Sequence, residues 1–226
     1  MNDKRTNQAK AEFVFGGTFD PVHNGHLAIL DALKQLSPDI PVRIIPCAIP
    51  PLKQSPKSSF IHRVAMLELA TKSHKVIIDL RESQRQQASY TIDTLKSLMS
   101  ESGDKNLILV IGMDSLGQWQ QWHQWQLISH YCHLLVINRD SNGQVQDQNQ
   151  KISQGIEQAG FKQISSFEDL IVTASGCGFY LEMPERSESS TQIRNLLDKD
   201  DAINTLVPQS VIEYIHQHHL YLRENH

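Results

Sequence analysis

The sequence has little of what marks several large protein classes. Only three cysteines occur in 226 residues, and Cys47, Cys132 and Cys177 form no CxxC pair. This argues against a disulfide framework and favours a reducing compartment. No apolar run approaches the roughly eighteen residues that a membrane helix needs, and residues 1–10 lack the apolar centre of a signal peptide. We therefore expect a cytoplasmic protein that does not enter a membrane.

Basic residues are also few, because 25 acidic side chains stand against 21 lysines and arginines and give a net charge of −4. A nucleic-acid binder usually carries a basic stripe that meets phosphates, so no nucleic-acid partner is expected. The eleven histidines show neither an HExxH motif nor clustered His/Cys spacing, so no dedicated metal site is expected. With 39% hydrophobic and 20% charged residues, the composition is that of an ordinary globular enzyme or ligand-binding protein.

What the chain does have is an alternation of short apolar runs and longer amphipathic stretches. This pattern is typical of βαβ units and a parallel sheet, and so predicts an α/β fold. The predicted strands are Glu12–Phe15, Val42–Pro46, Val76–Asp79, Leu107–Ile111, His133–Ile137 and Gly178–Glu182. The predicted helices are Gly25–Leu36, Phe60–Thr71, Thr91–Ser100, Thr191–Leu197 and Val207–His218.

Polar stretches interrupt this pattern without dividing it into two domains. Residues 1–11 are expected to form a flexible lead, and residues 12–222 a single domain. The stretch Ala48–Ser59 is rich in proline and serine and is predicted to be a loop. Residues 140–150 are rich in Asn, Gln, Asp and Gly without apolar periodicity, and are predicted to be a mobile insertion.

The segment after the first predicted strand carries the strongest chemical signal. Gly16 and Gly17 let the backbone turn sharply and let an anion approach without a Cβ in the way. Asn24 is the predicted N-cap of the next helix, and the rings of His23 and His26 can both face its N-terminus. Backbone N–H groups and the positive end of the helix dipole point to the same place. Each residue alone fits a simple turn or a surface histidine, but together they predict a phosphate site.

This segment, GGTFDPVHNGHL from Gly16 to Leu27, resembles the HxGH motif of the nucleotidyltransferase superfamily and, closely, its bacterial nicotinate-nucleotide adenylyltransferase branch. The similarity extends from about Glu12 to Leu222, with the motifs in the family's order. It implies a doubly wound, Rossmann-like parallel sheet that binds ATP at the carboxyl ends of its strands. The residues that it implies for ATP binding in this segment are Gly16, Gly17, Thr18, Phe19, His23 and His26, and it implies a catalytic role for the two histidines.

A second candidate phosphate element lies near the C-terminus. Ser189, Ser190 and Thr191 precede an apolar helical pattern and form a predicted N-cap cluster, and Arg194 lies one turn into the helix. Without context, this would be simple capping of a surface helix. The segment resembles the family's ISSTxIR motif, with Glu188 in place of the usual Ile. The resemblance implies that Ser189, Ser190 and Arg194 bind the triphosphate and that Arg194 is catalytic.

Two further motifs concern the bound nucleotides. Ala88–Thr91 resembles the family's PSYT loop, which implies that Tyr90 and Thr91 bind the carboxylate of nicotinate mononucleotide. Gly112–Leu116 resembles its GxDSL turn, which implies nucleotide contacts from Gly112 and Asp114.

Three tryptophans follow at helical spacing, and such a stripe is more often core packing than a ligand platform. The resemblance selects Trp122 to stack on the pyridine ring, implies that His123 binds the substrate through a neighbouring amide, and leaves Trp119 and Trp125 to the core.

The loop Ile49–Lys53 resembles the family's IPPHK and implies that Lys53 binds the mononucleotide. Two residues here depart from the family. Cys47 replaces a usual Asn and Leu52 a usual His, and in the family both positions lie beside the mononucleotide phosphate.

The reaction implied by the resemblance joins ATP and nicotinate mononucleotide to give nicotinate adenine dinucleotide and pyrophosphate, a step of NAD biosynthesis. A divalent cation, usually Mg²⁺, would be held mainly by phosphates and water. The nearest alternatives are pantetheine-phosphate adenylyltransferases, which usually show TxGH, and glycerol-phosphate cytidylyltransferases, which lack the SYT loop. Cys47 and Leu52 leave open a non-catalytic nucleotide sensor. Nothing in the sequence indicates an oligomeric state.

Overall fold

The strands follow the predicted apolar runs closely. The structure, a computed structural model, describes residues 11–52, 54–102, 105–138, 145–184 and 186–222. Within these ranges the strands are β1 (Ala11–Gly17), β2 (Val42–Pro46), β3 (Val76–Ile78), β4 (Asn106–Gly112), β5 (His133–Asn138), β6 (Lys162–Gln163) and β7 (Cys177–Glu182). Every predicted strand is present, and only the two-residue β6 was not predicted.

Helices connect and cover these strands. In chain order they are α1 (Asn24–Leu36), α2 (Phe60–Ala70), α3 (Thr91–Ser102), α4 (Met113–Gly117), α5 (Trp125–Ile128), α6 (Val145–Gln158), α7 (Phe167–Val172), α8 (Ser190–Leu197) and α9 (Gln209–Gln217), with 3₁₀ turns at Arg81–Gln84 and Trp119–Gln121. All predicted helices are present. No helix in the described ranges is long and apolar enough to cross a membrane.

One predicted loop differs from the structure in part. Of the insertion predicted at 140–150, residues 145–150 form the first turns of α6, while 140–144 lie outside the described residues. Ile152 and Ile156, one helical turn apart and 1% and 0% exposed, hold α6 against the core. Of the flexible lead predicted at residues 1–11, residues 1–10 lie outside the described residues, and Ala11 belongs to β1 instead. The lead over residues 1–10 stays a prediction, as does the single domain.

The strand order places one crevice at the centre of the sheet. The seven strands are all parallel, in the order β3-β2-β1-β4-β5-β7-β6. The chain adds β2 and β3 on one side of β1 and then β4 on the other, so the winding reverses between β1 and β4. Ligands of open parallel sheets bind at the carboxyl ends of such a pair. Phe15 pairs with Val110, so Gly17 and Gly112 end the two strands side by side. The predicted doubly wound parallel fold is confirmed.

Both faces of the sheet are buried, as is usual for parallel sheets. Alternate residues of β4 divide between two apolar clusters, with Ile108 and Val110 in one and Leu107, Leu109 and Ile111 in the other. Helices α1, α2, α7, α8 and α9 cover the first cluster, and α3 and α6 cover the second. The strands therefore form a packed frame from which the loops at their carboxyl ends project.

A chain of ion pairs links β1, β2 and the turn after β3. Arg43 contacts Glu12 at 2.9 Å and Asp79 at 2.7 Å, and Arg81 contacts both Asp79 and Glu101. The Glu12 side chain is 0% exposed. Burial would raise the pKa of the Asp79 carboxyl, but hydrogen bonds from Arg81 and Arg43 outweigh it and lower that pKa. Arg43 therefore neutralises the Glu12 carboxylate, which is completely shielded from water.

Arg43→Ala is expected to lower the free energy of unfolding by about 3 kcal/mol, because it leaves the buried Glu12 carboxylate without its nearest cation. Urea unfolding followed by circular dichroism measures this. Lys105→Ala is the matched control, since its ammonium lies 4.0 Å from Glu12 and its side chain is 38% exposed. The control is expected to cost less than about 1 kcal/mol. Equal losses in the two variants would contradict a special role for Arg43.

Candidate active site

The loop that follows β1 is shaped by the ring of Phe19. Phe19 has φ of 52°, a left-handed conformation that is uncommon outside glycine, and its ring is 2% exposed. A Cβ on Gly17 would lie 2.7 Å from the ring atom Cζ, so only glycine fits there. The ring also meets His26 edge-on, with centroids 5.0 Å apart. The loop backbone is therefore held by packing from inside the protein.

Gly16 and Gly112 meet a different constraint. A Cβ on Gly16 would approach only the Ile45 carbonyl, at 4.0 Å, and a Cβ on Gly112 would have no neighbour within 4 Å among the described residues. Packing within the protein therefore does not require glycine at either position. Both lie at the carboxyl ends of the central strands, where open space beside the backbone suits the approach of a ligand.

His23 and His26 form a reciprocal cap at the start of α1. The His23 N–H donates to His26 Nδ1 at 3.2 Å, and the His26 N–H donates to the His23 carbonyl at 2.8 Å. The two ring centroids are 3.7 Å apart. Because Nδ1 of His26 accepts a hydrogen bond, the proton of its neutral ring lies on Nε2. His23 is 2% exposed and His26 is half-buried, so His26 is the more accessible of the pair.

The predicted cap residue, Asn24, is not the N-cap. The helix begins at Asn24, and His23 is its N-cap. The Asn24 amide donates instead to the Thr205 carbonyl at 2.9 Å, and its backbone N–H donates to the Leu206 carbonyl at 2.8 Å. The His23–His26 pair takes the capping role because His26 occupies the third helical position, from which a side chain reaches back to the N-cap. Asn24 then anchors the segment that precedes α9.

The two phosphate elements predicted from the sequence are bonded to the same loop. Ser189 caps α8 by accepting the Gln192 N–H at 3.2 Å, as predicted for this cluster. The Ser190 hydroxyl donates to the Pro21 carbonyl at 2.9 Å, and Arg194 donates through Nη1 to the Asp20 carbonyl at 2.6 Å. The N-termini of α1 and α8 are therefore joined through residues 20 and 21.

Glu188, which departs from the family motif, is 8% exposed and contacts Arg186 at 3.3 Å. Its carboxylate is thus next to a cation, and it precedes the two serines without bonding to either in the described ranges.

The Asp20 carboxylate, which the sequence pattern did not single out, holds three parts of the chain together. It accepts the Lys57 N–H at 2.7 Å, the Ser58 N–H at 3.1 Å and the Tyr221 hydroxyl at 2.8 Å. Arg194 lies 3.9 Å away. Burial and the Asp20 charge raise the pKa of Tyr221, so its hydroxyl remains a donor. The end of the loop after β2, the C-terminal segment and α8 all meet at this residue.

Arg63 is a second residue that sequence reasoning missed. It lies on α2 and is 1% exposed, and its Nη1 donates to the carbonyls of Thr18 at 2.6 Å and Cys47 at 2.8 Å. Burial lowers the pKa of the guanidinium, yet an arginine remains protonated in proteins. Arg63 therefore joins the loop after β1 to the loop after β2 by donating to a backbone carbonyl of each. In the sequence, Arg63 is one residue within the apolar pattern of α2, and that pattern does not indicate hydrogen bonds to these two loops.

The loops predicted to bind the second substrate pair with each other. Ser89 donates its backbone N–H to the Ile49 carbonyl at 3.0 Å, and its hydroxyl accepts the Ile49 N–H at 3.3 Å. Thr91 is the first residue of α3, and the Tyr90 carbonyl accepts the N–H groups of the first turn. The predicted carboxylate-binding segment thus lies at a helix N-terminus and is fixed to the loop after β2.

Cys47 and Leu52, the two residues that depart from the family motif near this loop, have different surroundings. Burial, followed by the nearby charge of Glu82, raises the pKa of the Cys47 thiol to about 12, so Cys47 stays neutral. Its backbone N–H donates to the Gly17 carbonyl at 2.8 Å. The Leu52 side chain is 48% exposed. Lys53, the predicted mononucleotide-binding cation, lies outside the described residues.

Of the three tryptophans, Trp119 is 2% exposed and belongs to the core, as predicted. Trp122 and Trp125 are both half-buried and pack against the same apolar cluster, so burial does not separate them. Trp122 also stacks on Trp119 with centroids 4.8 Å apart. His123 is exposed, and its ring lies tilted against that of Tyr90 with centroids 4.3 Å apart, which brings two of the predicted substrate-binding residues together. Stacking of Trp122 on a pyridine ring stays a prediction.

The described residues do not fit a metal held by the protein alone. No group of three or more His, Cys, Asp or Glu side chains in these ranges is arranged to bind a metal ion. The Asp20 carboxylate already accepts three hydrogen bonds, and Asp114, in the first turn of α4, is exposed.

Two cavities lie away from this region, beside β6 and β7. Their volumes are about 340 and 470 Å³, and both are lined by Gln163, Ile164 and Ser165. None of the predicted site residues lines either cavity. The convergence of two helix N-termini on one loop, rather than a closed cavity, therefore defines the candidate site.

Comparison with known proteins gives the family. A family model described as cytidylyltransferase-like matches residues 14–196. A probable nicotinate-nucleotide adenylyltransferase of Marinomonas sp. (strain MWYL1) is 38% identical over 214 residues, which cover 92% of this chain and 93% of that protein. A relative of the same name from Pectobacterium atrosepticum is 38% identical over 212 residues, which cover 92% of this chain and 96% of that protein.

Among solved structures, the fold is similar to that of Plasmodium falciparum nicotinic acid mononucleotide adenylyltransferase complexed with NaAD. The TM-score is 0.70 at 20% identity, and the match covers 94% of this chain and 97% of that one. This likeness supports the fold, and the sequence relatives carry the finer assignment. The chain belongs to the cytidylyltransferase-like family and, within it, to the nicotinate-nucleotide adenylyltransferases.

Proposed function

We propose that this protein transfers the adenylyl group of ATP to nicotinate mononucleotide, giving nicotinate adenine dinucleotide and pyrophosphate. The observation that carries the proposal is the convergence of two phosphate elements on the loop after β1. His23 and His26 cap α1 on one side of the loop, and Ser190 and Arg194 are bonded to it from α8. The names of the sequence relatives agree with this reaction.

The reaction needs no nucleophilic side chain, because the second substrate brings its own nucleophile. An oxygen of the mononucleotide phosphate attacks the α-phosphorus of ATP. A new P–O bond forms as the bond to the β-phosphate oxygen breaks, and that oxygen leaves on pyrophosphate. Catalysis then rests on positioning and on neutralising the charge that develops on the phosphates.

The residues around the loop suit that work. With its proton on Nε2, His26 can donate to a phosphate oxygen while Nδ1 remains bonded to the cap. Arg194 brings a fixed positive charge, and its contacts with the Asp20 carbonyl and with Thr191 hold the guanidinium in one orientation. His23, with its buried ring beside that of His26, supports the pair from inside the protein.

The second substrate is assigned to the paired loops after β2 and before α3. The N–H groups of Asp93 and Thr94 donate to the Tyr90 carbonyl. Those of Thr91 and Ile92 come too early in α3 to have an intrahelical acceptor, and the positive end of the helix dipole favours a carboxylate. Tyr90 and Thr91 lie at this helix start, beside the ring of His123. A nicotinate carboxylate would satisfy these donors, whereas the neutral amide of nicotinamide would not carry the charge that they favour.

A divalent cation such as Mg²⁺ enters this proposal with the substrates. The described residues offer no carboxylate cluster for it. Mg²⁺ retains several waters and binds readily to substrate phosphates. When bound with the substrates, the cation would neutralise phosphate charge.

Location of the protein in the cytoplasm stays a prediction from composition.

The test is pyrophosphate release with matched pairs of substrates. With ATP, we expect kcat/KM for nicotinate mononucleotide to exceed that for nicotinamide mononucleotide by at least about tenfold, since a lost charge-assisted contact is worth roughly 1.5–3 kcal/mol. Pantetheine phosphate with ATP, and glycerol phosphate with CTP, serve as controls and are expected to give no pyrophosphate.

A non-catalytic nucleotide sensor is the second candidate, and the exposed Leu52 in place of a usual histidine is the observation that favours it. Binding of ATP and nicotinate mononucleotide by calorimetry, without any pyrophosphate release, would support the sensor and overturn the proposed reaction. Equal turnover of both mononucleotides would keep the reaction but overturn the assigned carboxylate preference.

A further inference from the structure

Glu82 is a buried carboxylate that none of the motifs includes. It lies in the 3₁₀ turn Arg81–Gln84 and is 6% exposed. Burial raises the pKa of this carboxyl, and its Oε2 has no hydrogen-bond partner in the described ranges. Burying such a group costs stability unless its partners compensate for lost water. An apolar side chain of similar size would often be at least as stable at such a position.

One side of Glu82 faces the first turn of α3. The Thr94 hydroxyl donates to Glu82 Oε1 at 2.9 Å and accepts from Arg85 Nη1 at 3.0 Å. Arg85 also donates through Nη2 to the Asp93 carbonyl at 3.2 Å. Glu82 in the 3₁₀ turn and Arg85 directly after it therefore both hold the helix start that carries Tyr90 and Thr91.

The other side of Glu82 faces the loop after β2. The Ser89 hydroxyl and the Ala48 N–H act to lower the pKa of the Glu82 carboxyl, against the larger effect of burial, and the charge of Glu82 raises the pKa of the Cys47 thiol. Ser89 is itself bonded twice to Ile49, at 3.0 and 3.3 Å. Glu82 thus lies at the junction of the two segments between which the mononucleotide would bind.

We propose that Glu82 is a positioning residue that fixes the spacing of these two segments and so sets the affinity for the mononucleotide. It acts through Thr94 and the backbone near Ala48 rather than by touching substrate. The proposal rests on the proposed function for the identity of the substrate. It also accounts for a buried carboxylate at a place where the fold alone does not need one.

Glu82→Met tests this, because methionine fills a similar volume and accepts no such hydrogen bond. We expect KM for nicotinate mononucleotide to rise by about tenfold or more, as expected for loss of positioning, with KM for ATP within about twofold of wild type. Amide hydrogen exchange in the ligand-free protein is expected to be about tenfold faster for residues 88–94, with little change in α1. The midpoint of thermal unfolding is expected to stay the same or rise.

Two further variants separate positioning from folding. Thr94→Val removes the hydroxyl that bonds to Glu82 and is expected to reproduce the rise in KM, whereas Thr94→Ser retains the hydroxyl and is expected to stay within about threefold of wild type. Glu101→Gln is the control, because this exposed carboxylate contacts Arg81 in the same turn but faces neither loop. It is expected to leave both KM values unchanged.

The outcomes are distinct. Unchanged exchange at residues 88–94 and unchanged KM in Glu82→Met and Thr94→Val would overturn the proposal. Equal rises in both KM values together with a lowered unfolding midpoint would also overturn it, because that is the result of general destabilisation. Absence of turnover in the wild-type protein would instead overturn the proposed function, and the exchange measurement would still decide whether Glu82 fixes the two segments.

Discussion

Replacing His26 with alanine is expected to lower kcat for adenylyl transfer by about 10²–10³-fold, with much smaller changes in KM. A hydrogen-bond donor aimed at charge that develops in the transition state commonly has an effect of this size. In this protein, the bond from the His23 N–H to His26 Nδ1 at 3.2 Å places the donor proton on Nε2. Initial rates of pyrophosphate release at saturating ATP and nicotinate mononucleotide measure the effect.

The capping role of His26 calls for a second variant. Alanine also removes the acceptor for the His23 N–H, which costs about 1 kcal/mol of stability. His26→Gln keeps an acceptor at the third helical position, where glutamine closes a capping box. We expect it to unfold at nearly the same urea concentration as wild type and still to lose most of its activity. His130→Gln, at an exposed position outside the site, is the control.

Undiminished turnover in folded His26→Gln would show that the imidazole has no part in the chemistry. If His26→Ala alone lost activity, the capping of α1, rather than the ring, would be what the reaction needs.

Replacing Arg194 with methionine is expected to lower kcat/KM for ATP by about 10²-fold or more, because a fixed positive charge beside the phosphates is lost. The guanidinium is held by the Asp20 carbonyl at 2.6 Å and by Thr191 at 3.2 Å. Arg194→Lys keeps the charge but lacks the planar group whose two nitrogens make these contacts, so it should recover only part of the activity. Steady-state kinetics with ATP varied at saturating nicotinate mononucleotide provide the measurement.

Lys199→Ala is the matched control for Arg194, since it removes one positive charge just after α8 from an exposed position. We expect it to leave kcat/KM for ATP unchanged. If the lysine variant at position 194 were fully active, the charge alone would suffice, and the orientation imposed by Asp20 would be irrelevant.

The fold was predictable from the sequence wherever apolar periodicity was strong. Val42–Pro46 was predicted with its observed bounds, because a buried parallel strand reads as a short apolar run. β6 could not be found in this way, since Lys162 and Gln163 are polar and their pairing with β7 is set by neighbouring elements. The first turns of α6 are likewise rich in polar residues, and its core contacts come later, from Ile152 and Ile156.

The candidate site was predictable to the extent that its residues lie in local motifs. The strand-to-helix turn with His23 and His26 was found in this way, and so was the cap of α8. The contacts of Asp20 were not, because its partner Tyr221 is 201 residues away and no local pattern encodes such a distance. Arg63 was hidden for a related reason, since its partners are backbone carbonyls of two distant loops.

The two adjacent glycines that end β1 are expected to be under different selection. Gly17 has no room for a side chain beside the Phe19 ring, so a lineage that retains that ring in this position is expected to retain the glycine. At Gly16, the described residues leave the space beside the backbone open, and in the proposed function a bound nucleotide would use it. A descendant that kept the architecture but abandoned the reaction would be free to drift at position 16 while position 17 stayed fixed. Under the proposed function, the residue at position 16 is therefore expected to distinguish relatives that keep the reaction from relatives that keep only the fold.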